Sequence, residues 1–217
     1  MINPNLTLEQ TILRIDHCLL ARKMQQPSQQ DSLILEEYMG ISAEKLIEEK
    51  DFLKQLQLGW IKLENLQVNQ NEIDDAYQQA YFQPTGNGDY REIQGYAQID
   101  CPRFIQEQFV LPLWKSVGFL RCLPGRTIPK HKDMGRVAAL LIPAIGDQSK
   151  IPLTFWSDNG NKISEVILDG PTLINTTILH SVDTTSDQER TNFNLCFDYP
   201  LTFESIADIL MRRKGIK

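Results

Sequence analysis

The sequence predicts a mainly β fold with a helical N-terminal third, in which an antiparallel sandwich or barrel is braced by helices. Two observations predict this class. Between residues 8 and 58, apolar residues recur at helical spacing between capping residues and glycine or proline stops. From Val117 to Tyr199 the period becomes that of strands, with turn signals at short intervals and no helix between them. About seven or eight short strands in this arrangement are typical of antiparallel sandwiches and barrels.

Three helices are predicted in the N-terminal third, each with its own start signal. Thr7 opens a capping box before the first helix, which ends by Pro27. A second helix is predicted over Ser32–Met39, where Gly40 ends it. Ser42 is placed to cap a third helix that runs to the next glycine, at position 59.

The following stretch mixes short elements with a loop. Trp60–Leu63 alternates like a short strand, and Glu72–Phe82 has the composition of a helix that ends before a proline. The turn-rich segment from Pro84 to Tyr96 predicts a mobile loop. Arg91 and Tyr96 on this loop are candidate substrate contacts, although a plain surface connection explains the segment equally well.

Strand signals then follow in close succession. The predicted strands are Val117–Leu123, Arg136–Ile142, Leu153–Trp156, Ile163–Leu168, Thr172–Val182 and Asn192–Tyr199. Asn159 and Gly160 form a strong turn signal, which predicts a hairpin between the third and fourth of these strands. A closing amphipathic helix is predicted over Thr202–Arg213, with cations in its last turn.

Length and pattern together suggest one domain, residues 1–217, which is long enough to bury a substantial core. Within it, we expect residues 1–83 to form a helical support and substrate-pocket region. Residues 84–116 would form a loop or lid, residues 117–200 the β core, and residues 201–217 the C-terminal helix.

Composition narrows the class of protein. The hydrophobic content is 41%, the charged content is 23% and the formal net charge is −6, which disfavours a broad nucleic-acid or anionic-membrane surface. The four cysteines are scattered without CxxC spacing, as in reduced proteins. The N-terminus lacks the pattern of a signal peptide, and no apolar run approaches the roughly 20 residues of a membrane span. We therefore expect a soluble, cytoplasmic protein.

Two of the three histidines stand in a pattern suited to binding a metal. His131 and Asp133 are two residues apart, so on one strand their side chains would point to the same side. His180, from a later strand, would add a second imidazole. Two imidazoles and one carboxylate can occupy one face of an Fe(II) ion and leave positions open. Arg190 is a candidate anchor for a carboxylate co-substrate, because its guanidinium forms a rigid fork of donors.

Other residues near this pattern have two interpretations each. Arg136 either meets a carboxylate of the co-substrate or substrate, or is a cation at a strand edge. Asn175, on the predicted strand of His180, either faces the cavity or pairs across the sheet. Trp156 is a candidate for the wall of a substrate pocket, although a strand tryptophan is more often part of a core.

The residues from Val117 to Tyr199 resemble the Fe(II)/2-oxoglutarate-dependent dioxygenase superfamily, in particular its small microbial and phage-type members and its aspartyl/asparaginyl hydroxylase-like branch. The motifs that carry the resemblance are Pro124-Gly125, Ile128-Pro129-x-His131-x-Asp133, Gly170-Pro171, Asn175-Thr176-Thr177, His180-Ser181-Val182 and Arg190-x-Asn192. The resemblance implies a double-stranded β-helix, that is, a jelly-roll or cupin-like barrel.

The same resemblance implies the cofactors and the reaction. Fe(II) would be held by His131, Asp133 and His180, and Arg190 would bind the distal carboxylate of 2-oxoglutarate, with Asn192 two residues later in the same motif. The co-substrates would be 2-oxoglutarate and O2. The reaction would couple decarboxylation of 2-oxoglutarate to succinate with hydroxylation of an unactivated C–H bond.

The chain also departs from the family pattern. The strand before His131 carries Leu120 and Cys122 and no tyrosine, which in some members contacts the co-substrate. Cys196 stands where the nucleic-acid demethylases have a further arginine. This difference and the acidic charge argue against a nucleic-acid substrate, and the expected partner is an amino acid, a peptide or another small molecule.

Two other functions stay open on the sequence alone. One is a cupin-like metal isomerase or lyase, although such sites more often use further nitrogen ligands, and the remaining histidine, His17, is distant and suits a surface or packing role. The other is a catalytically silent jelly-roll module that binds or senses a ligand. The oligomeric state is not indicated by any motif.

Overall fold

The computed structural model of the chain describes residues 5–24, 28–84, 94–110, 112–183, 185–212 and 215–216. The chain divides into two compact units, Met1–Gln57 and Leu58–Lys217. No helix within these described ranges combines the length and apolar character needed to cross a bilayer.

Helices make up the described part of the first unit. They are α1 (Leu8–Ala21), α2 (Gln29–Glu37) and α3 (Ala43–Leu58), the last of which ends one residue past the unit boundary. The capping box at Thr7 is confirmed. Helix α2 begins three residues before its predicted start, because Ser28 and Asp31 form a capping box of their own. His17 lies 2.6 Å from the Asp31 carboxylate, so it packs between α1 and α2.

The second unit is rich in antiparallel strands. Those within the described residues are β1 (Trp60–Lys62), β2 (Gln83–Pro84), β3 (Gln94–Gln98), β4 (Ser116–Cys122), β5 (Ile128–His131), β6 (Ala138–Ile145), β7 (Pro152–Trp156), β8 (Lys162–Ile167), β9 (Thr172–Asn175), β10 (Leu179–Val182) and β11 (Arg190–Phe197). Seven strands form one sheet in the order β1-β9-β6-β11-β4-β3-β2. The other four form a second sheet in the order β5-β10-β7-β8.

The two sheets pack face to face through an apolar cluster. Its members from the larger sheet include Ala139, Leu141 and Ile174, and those from the smaller sheet include Leu153, Phe155, Val166 and Val182. Alternation along each strand places these side chains on one face. The sandwich therefore has an inner face on each sheet, and the site described below lies between them.

Helices cover the outer face of the larger sheet. They are α4 (Gln70–Gln78), α5 (Arg103–Gln108) and α6 (Phe203–Arg212). Phe119 of β4 contacts Tyr77 of α4, and Phe193 of β11 contacts Phe104 of α5, in each case ring against ring. These aromatic side chains are buried under the helices, and the alternate residues of the same strands point to the inner face, where the site lies.

The predicted strand Thr172–Val182 is in fact two strands in different sheets, and the prediction of one strand is wrong. The Asn175 side-chain oxygen accepts hydrogen bonds from the Thr177 backbone N–H and hydroxyl, which turns the chain between β9 and β10. In the stretch 84–116, predicted as a loop or lid, the chain forms β3 and α5. Residues 85–93, including Arg91, lie outside the described residues, and the support and lid roles stay predictions.

Candidate metal and co-substrate site

The two histidines of the motif meet across neighbouring strands. His131 is the last residue of β5 and His180 lies on β10, and the antiparallel register pairs them directly. Their ring centroids are 4.4 Å apart. Directly opposed residues on antiparallel strands share a face, so both imidazoles are presented to the same space.

Each imidazole is oriented by a carbonyl two residues before it. Nδ1 of His131 lies 2.8 Å from the Pro129 carbonyl oxygen, and Nδ1 of His180 lies 2.8 Å from the Ile178 carbonyl oxygen. Because a carbonyl only accepts, Nδ1 is the protonated nitrogen in both rings. In the neutral form of each ring, Nε2 then carries the lone pair, and this is the form that binds a metal.

Asp133 completes the cluster, but from a turn and not from the strand on which the sequence predicted it. Strand β5 ends at His131, so Asp133 lies in the following turn and not on the same strand. Its backbone N–H donates to the Thr176 carbonyl, 3.0 Å away, and this bond holds the turn against the segment between β9 and β10. Thr176 is a positioning residue that no sequence motif identified.

The three side chains converge closely enough to hold one ion. His131 Nε2 is 3.5 Å from Asp133 Oδ1, and His180 Nε2 is 3.9 Å from Asp133 Oδ2. One candidate ligand atom from each residue lies within 4.8 Å of the others. Ligand bonds of about 2.0–2.2 Å from nitrogen and oxygen to a divalent metal fit these separations.

Arg136 contacts Asp133 and also lines the cavity described below, and its contact with a carboxylate of the co-substrate or substrate stays a prediction. Its Nε donates to Asp133 Oδ2 at 2.7 Å, and its Nη1 donates to the Cys196 sulfur at 3.2 Å. The Thr176 hydroxyl donates to the Arg136 carbonyl at 3.0 Å. Arg136 and Thr176 together hold the turn that carries the carboxylate.

These contacts set the charges of the cluster. Burial opposes ionisation of Asp133, but His131 and Arg136 outweigh it and hold the pKa of the carboxyl well below its usual value. Burial likewise opposes a charged His131, but Asp133 and the Pro129 carbonyl raise its pKa. Burial, reinforced by the nearby His131, lowers the pKa of His180 to about 4. The carboxylate is therefore ionised and His180 is neutral near pH 7, as metal binding requires.

The low pKa of His180 makes the metal-free protein sensitive to acid. An unfolded histidine takes up a proton near pH 6.5 but folded His180 does so near pH 4, so the unfolded state binds more protons in that window. We expect the free energy of unfolding to fall by up to about 3 kcal/mol as the pH falls from 6.5 to 4. Denaturant titrations at several pH values measure this change in the free energy of unfolding. A His180→Asn variant with an equally steep pH dependence would contradict the assignment.

A cavity of about 720 Å³ adjoins the three side chains. Its apolar wall comes from both sheets and consists of Leu120, Ile128, Leu141, Leu153, Leu168 and Val182. Its polar lining consists of Tyr96, Gln98, Lys115, Ser116, Lys132 and Asn192, besides Arg136 and the metal-binding cluster. Sequence reasoning had singled out Tyr96 and Asn192 and missed Gln98, Lys115 and Ser116, which carry no motif.

Arg190 is a buried cation for which the described residues provide no anion. It shares the inner face of β11 with Asn192 and Cys196, and only 5% of it is exposed. Its Nη2 donates to the Cys122 sulfur and the Arg126 carbonyl, both at 3.2 Å, and its buried Nε has no hydrogen-bond partner. No carboxylate of the described residues pairs with it. A buried guanidinium in this state is costly, and an anionic ligand would compensate it.

The remaining candidates lie elsewhere. Asn192 lines the cavity and accepts a hydrogen bond from the Gln148 amide at 2.9 Å. The Asn175 side chain closes the turn after β9, as described above. The Trp156 indole donates to the Ser181 hydroxyl at 2.9 Å, and Lys130 Nζ lies over its ring. The structure does not bring Asn175 or Trp156 into the described cavity lining.

No known family model matches the sequence, and no curated protein matches it either. Solved structures do match this chain. A 2OG-Fe(II) oxygenase family oxidoreductase from Burkholderia pseudomallei matches 68% of this chain and 88% of its own, at 12% identity and a TM-score of 0.50. A Pseudomonas putida prolyl-4-hydroxylase matches 68% of this chain and 96% of its own, at 14% identity and a TM-score of 0.45. A Trichoplax adhaerens prolyl hydroxylase matches 78% of this chain and 98% of its own, at 12% identity and a TM-score of 0.47. The first likeness shows that this chain shares the β-rich fold of the Burkholderia oxidoreductase.

Proposed function

We propose that the protein is a non-haem Fe(II)- and 2-oxoglutarate-dependent oxygenase on a jelly-roll barrel. It hydroxylates an unactivated C–H bond of an amino acid, a peptide or another small molecule and releases succinate and CO2. One observation carries the proposal: two imidazoles and one carboxylate line a cavity together with Asn192 of β11, and the same strand begins at Arg190, a buried cation outside that lining for which the described residues provide no anion.

The donor set fits Fe(II). His131, Asp133 and His180 offer two nitrogens and one oxygen, and one candidate ligand atom from each lies within 4.8 Å of the others. Bound there, Fe(II) would supply the open coordination positions at which O2 and the 2-oxo acid react. A cupin-like isomerase or lyase would more often need further nitrogen ligands, and the described residues place two histidines in this cluster.

The cavity and Arg190 fit 2-oxoglutarate. The Arg190 guanidinium would bind the distal carboxylate through charge-assisted hydrogen bonds. The aliphatic wall excludes water from the methylene chain and lowers the local dielectric constant, which strengthens that contact. Arg136 keeps Asp133 ionised and oriented through its hydrogen bond to one carboxylate oxygen.

A binding experiment tests this proposal. Titration of the full chain with Mn(II), an air-stable substitute for Fe(II), should show one site, and 2-oxoglutarate should bind tightly only after the metal. Aerobic incubation with Fe(II) should convert 2-oxoglutarate to succinate. Binding of 2-oxoglutarate that is independent of metal, or no binding at all, would refute the proposal.

The contact between Arg136 and Asp133 predicts a metal-dependent stability effect. Arg136→Met leaves the largely buried carboxylate with less compensation, so we expect the metal-free protein to lose about 2–4 kcal/mol of unfolding free energy. Bound Mn(II) would compensate the carboxylate and recover part of this loss. Urea titrations with and without Mn(II) measure both values.

Lys132→Met is the matched control, because Lys132 also lines the cavity but pairs with the exposed Asp158. Lys132→Met should lower the free energy of unfolding by less than about 1 kcal/mol. An equal loss for Arg136→Met with and without metal would mean that Arg136 acts through packing alone.

A further inference from the structure

The charges that line the cavity are mostly positive. Its described lining contains three cations, Lys115, Lys132 and Arg136, and one anion, Asp133. Arg136 is already paired with Asp133, so the excess positive charge is that of the two lysines. The whole chain has the opposite balance, with 28 acidic and 22 basic residues. A cationic cavity in an acidic protein attracts anionic ligands.

The two lysines line the cavity from opposite sheets. Lys115 directly precedes β4 of the larger sheet. Lys132 directly follows β5 of the smaller sheet, between His131 and Asp133 of the metal-binding cluster. Met134, in the same turn as Lys132, also lines the cavity and is 94% exposed, so the cavity is open to solvent at this end. A ligand that enters here meets one lysine from each sheet.

The lysines lie near the metal-binding cluster and away from Arg190. The backbone N–H of Lys115 donates to the Cys196 carbonyl at 2.8 Å. The Cys196 sulfur accepts a hydrogen bond from Arg136, the partner of Asp133. Arg190 is the first residue of β11, whereas Cys196 is near its last. Arg190 is thus placed for one anion, and the two lysines are placed for a different one.

Each lysine pairs with an aspartate that lies outside the described cavity lining. Lys132 Nζ is 2.7 Å from a carboxylate oxygen of Asp158, and Lys115 pairs with Asp198. The side chains of Lys115 and Lys132 are 66% and 46% exposed. Ion pairs at this exposure contribute little to stability, so an anionic ligand can displace the aspartates at small cost.

Neutral polar side chains of the larger sheet stand beside Lys115. Gln98 of β3 and Ser116 of β4 line the cavity, at the ends where these two strands are hydrogen-bonded to each other. An amide N–H and a hydroxyl can both donate to the oxygens of a carboxylate or a phosphate. The rest of the lining is largely aliphatic, so it matches a ligand with an anionic head and a carbon skeleton.

We infer that the substrate carries an anionic group, a carboxylate or a phosphate, which Lys115 and Lys132 bind at the open end of the cavity. This inference rests on the proposed function and names the class of substrate. With its anionic group bound there, the substrate has its carbon skeleton beside the metal-binding cluster, and Arg190 remains available for 2-oxoglutarate. The two lysines bind and orient the substrate and exchange no proton with it.

Matched pairs of probes test the contribution of the charge alone. The pairs are N-acetylglutamate α-amide and N-acetylglutamine amide, N-acetylphosphoserine amide and N-acetylserine amide, and pentanoate and pentanamide. Each probe is titrated into the full chain loaded with Mn(II) and saturating 2-oxoglutarate, so that Arg190 is occupied. Paramagnetic Mn(II) accelerates the NMR relaxation of a probe bound near it, and the readout therefore needs no turnover. The Mg(II)-loaded chain gives the background relaxation.

We expect the charged member of at least one pair to bind about tenfold more tightly than its neutral partner. Lys115→Met and Lys132→Met should each raise the Kd of that charged probe about tenfold, because each removes one charge-assisted contact. The Kd of the neutral partner and of 2-oxoglutarate should not change. Lys162→Met is the control, since Lys162 is also a surface lysine paired with a carboxylate but lies outside the described lining. The pair that responds distinguishes a carboxylate from a phosphate.

The contrary outcomes separate the inference from the proposed function. Equal binding of charged and neutral partners, or no binding of any charged probe, would overturn the inference while the binding of 2-oxoglutarate still supports the proposed function. A charge preference that survives in both lysine variants would place the anion elsewhere and also overturn the inference. If Mn(II)-loaded wild type does not bind 2-oxoglutarate, the proposed function itself fails, and the inference fails with it.

Discussion

Asp133→Ala is expected to raise the Kd for Fe(II) at least about a hundredfold, since it removes the one carboxylate of the cluster. Even residues that only orient a metal ligand typically contribute tenfold to a hundredfold in affinity, and a ligand itself should contribute more. The variant also leaves Arg136 without its anionic partner. Anaerobic Fe(II) titration against a competing chelator measures the affinity.

Asp158→Ala is the matched control for this substitution. Asp158 is an exposed aspartate that pairs with Lys132, next to Asp133 in the sequence, and it lies outside the described cavity lining. Its removal should leave the Fe(II) affinity within about twofold of wild type. If Asp133→Ala binds Fe(II) as tightly as this control, the cluster is not the metal site.

Arg190→Met is expected to raise the Kd for 2-oxoglutarate about a hundredfold, because two charge-assisted hydrogen bonds are lost together. The Kd for 2-oxobutyrate, which lacks the distal carboxylate, should stay unchanged. Without a ligand, the variant should be no less stable than wild type, since it removes a buried charge whose Nε has no hydrogen-bond partner and for which the described residues provide no anion. Calorimetry with the Mn(II)-loaded protein and denaturant titrations of the ligand-free protein measure these values.

Arg126→Gln serves as the control here. Its backbone carbonyl accepts from Arg190, but its own side chain is exposed, so the substitution keeps the contact and changes only a surface charge. We expect no change in the affinity for either probe. Equal losses of affinity for 2-oxoglutarate and 2-oxobutyrate in Arg190→Met would show that Arg190 does not bind the distal carboxylate.

The features that could be predicted from the sequence are those that depend on residues close together in the chain. Turn residues such as Asn159 and Gly160 mark the hairpin between β7 and β8, and the structure has it there. His131, Asp133 and His180 stand in short motifs, and the structure brings them together as expected. The helix starts at Thr7 and Ser42 likewise follow from capping chemistry within one turn.

The features that sequence could not predict depend on partners far away in the chain. Thr172–Val182 is apolar enough for one strand, and only the Asn175 side chain and the separate pairing partners of β9 and β10 divide it. The position of Asp133 is determined by the Thr176 carbonyl, 43 residues later. Register between such segments is set by packing, which a single sequence does not display.

Tyr96 and Arg136 show the same limit within the site. The turn-rich composition around residue 90 predicted a loop as far as Tyr96, but pairing with β4 extends the sheet through Gln94–Gln98. Gly118 was the available signal, because a glycine inside a strand often marks a close approach. Arg136 was identified as a site residue, yet its partner could be assigned only once the turn after β5 was known.

The central claim is that His131, Asp133 and His180 bind Fe(II) together with 2-oxoglutarate anchored by Arg190. The most direct test is the visible spectrum of the protein under anaerobic conditions with both ligands. A charge-transfer band should appear in wild type only when both are present, and it should be lost in His131→Ala and require far more 2-oxoglutarate in Arg190→Ala. No band in wild type, or a band unchanged in both variants, would contradict the claim.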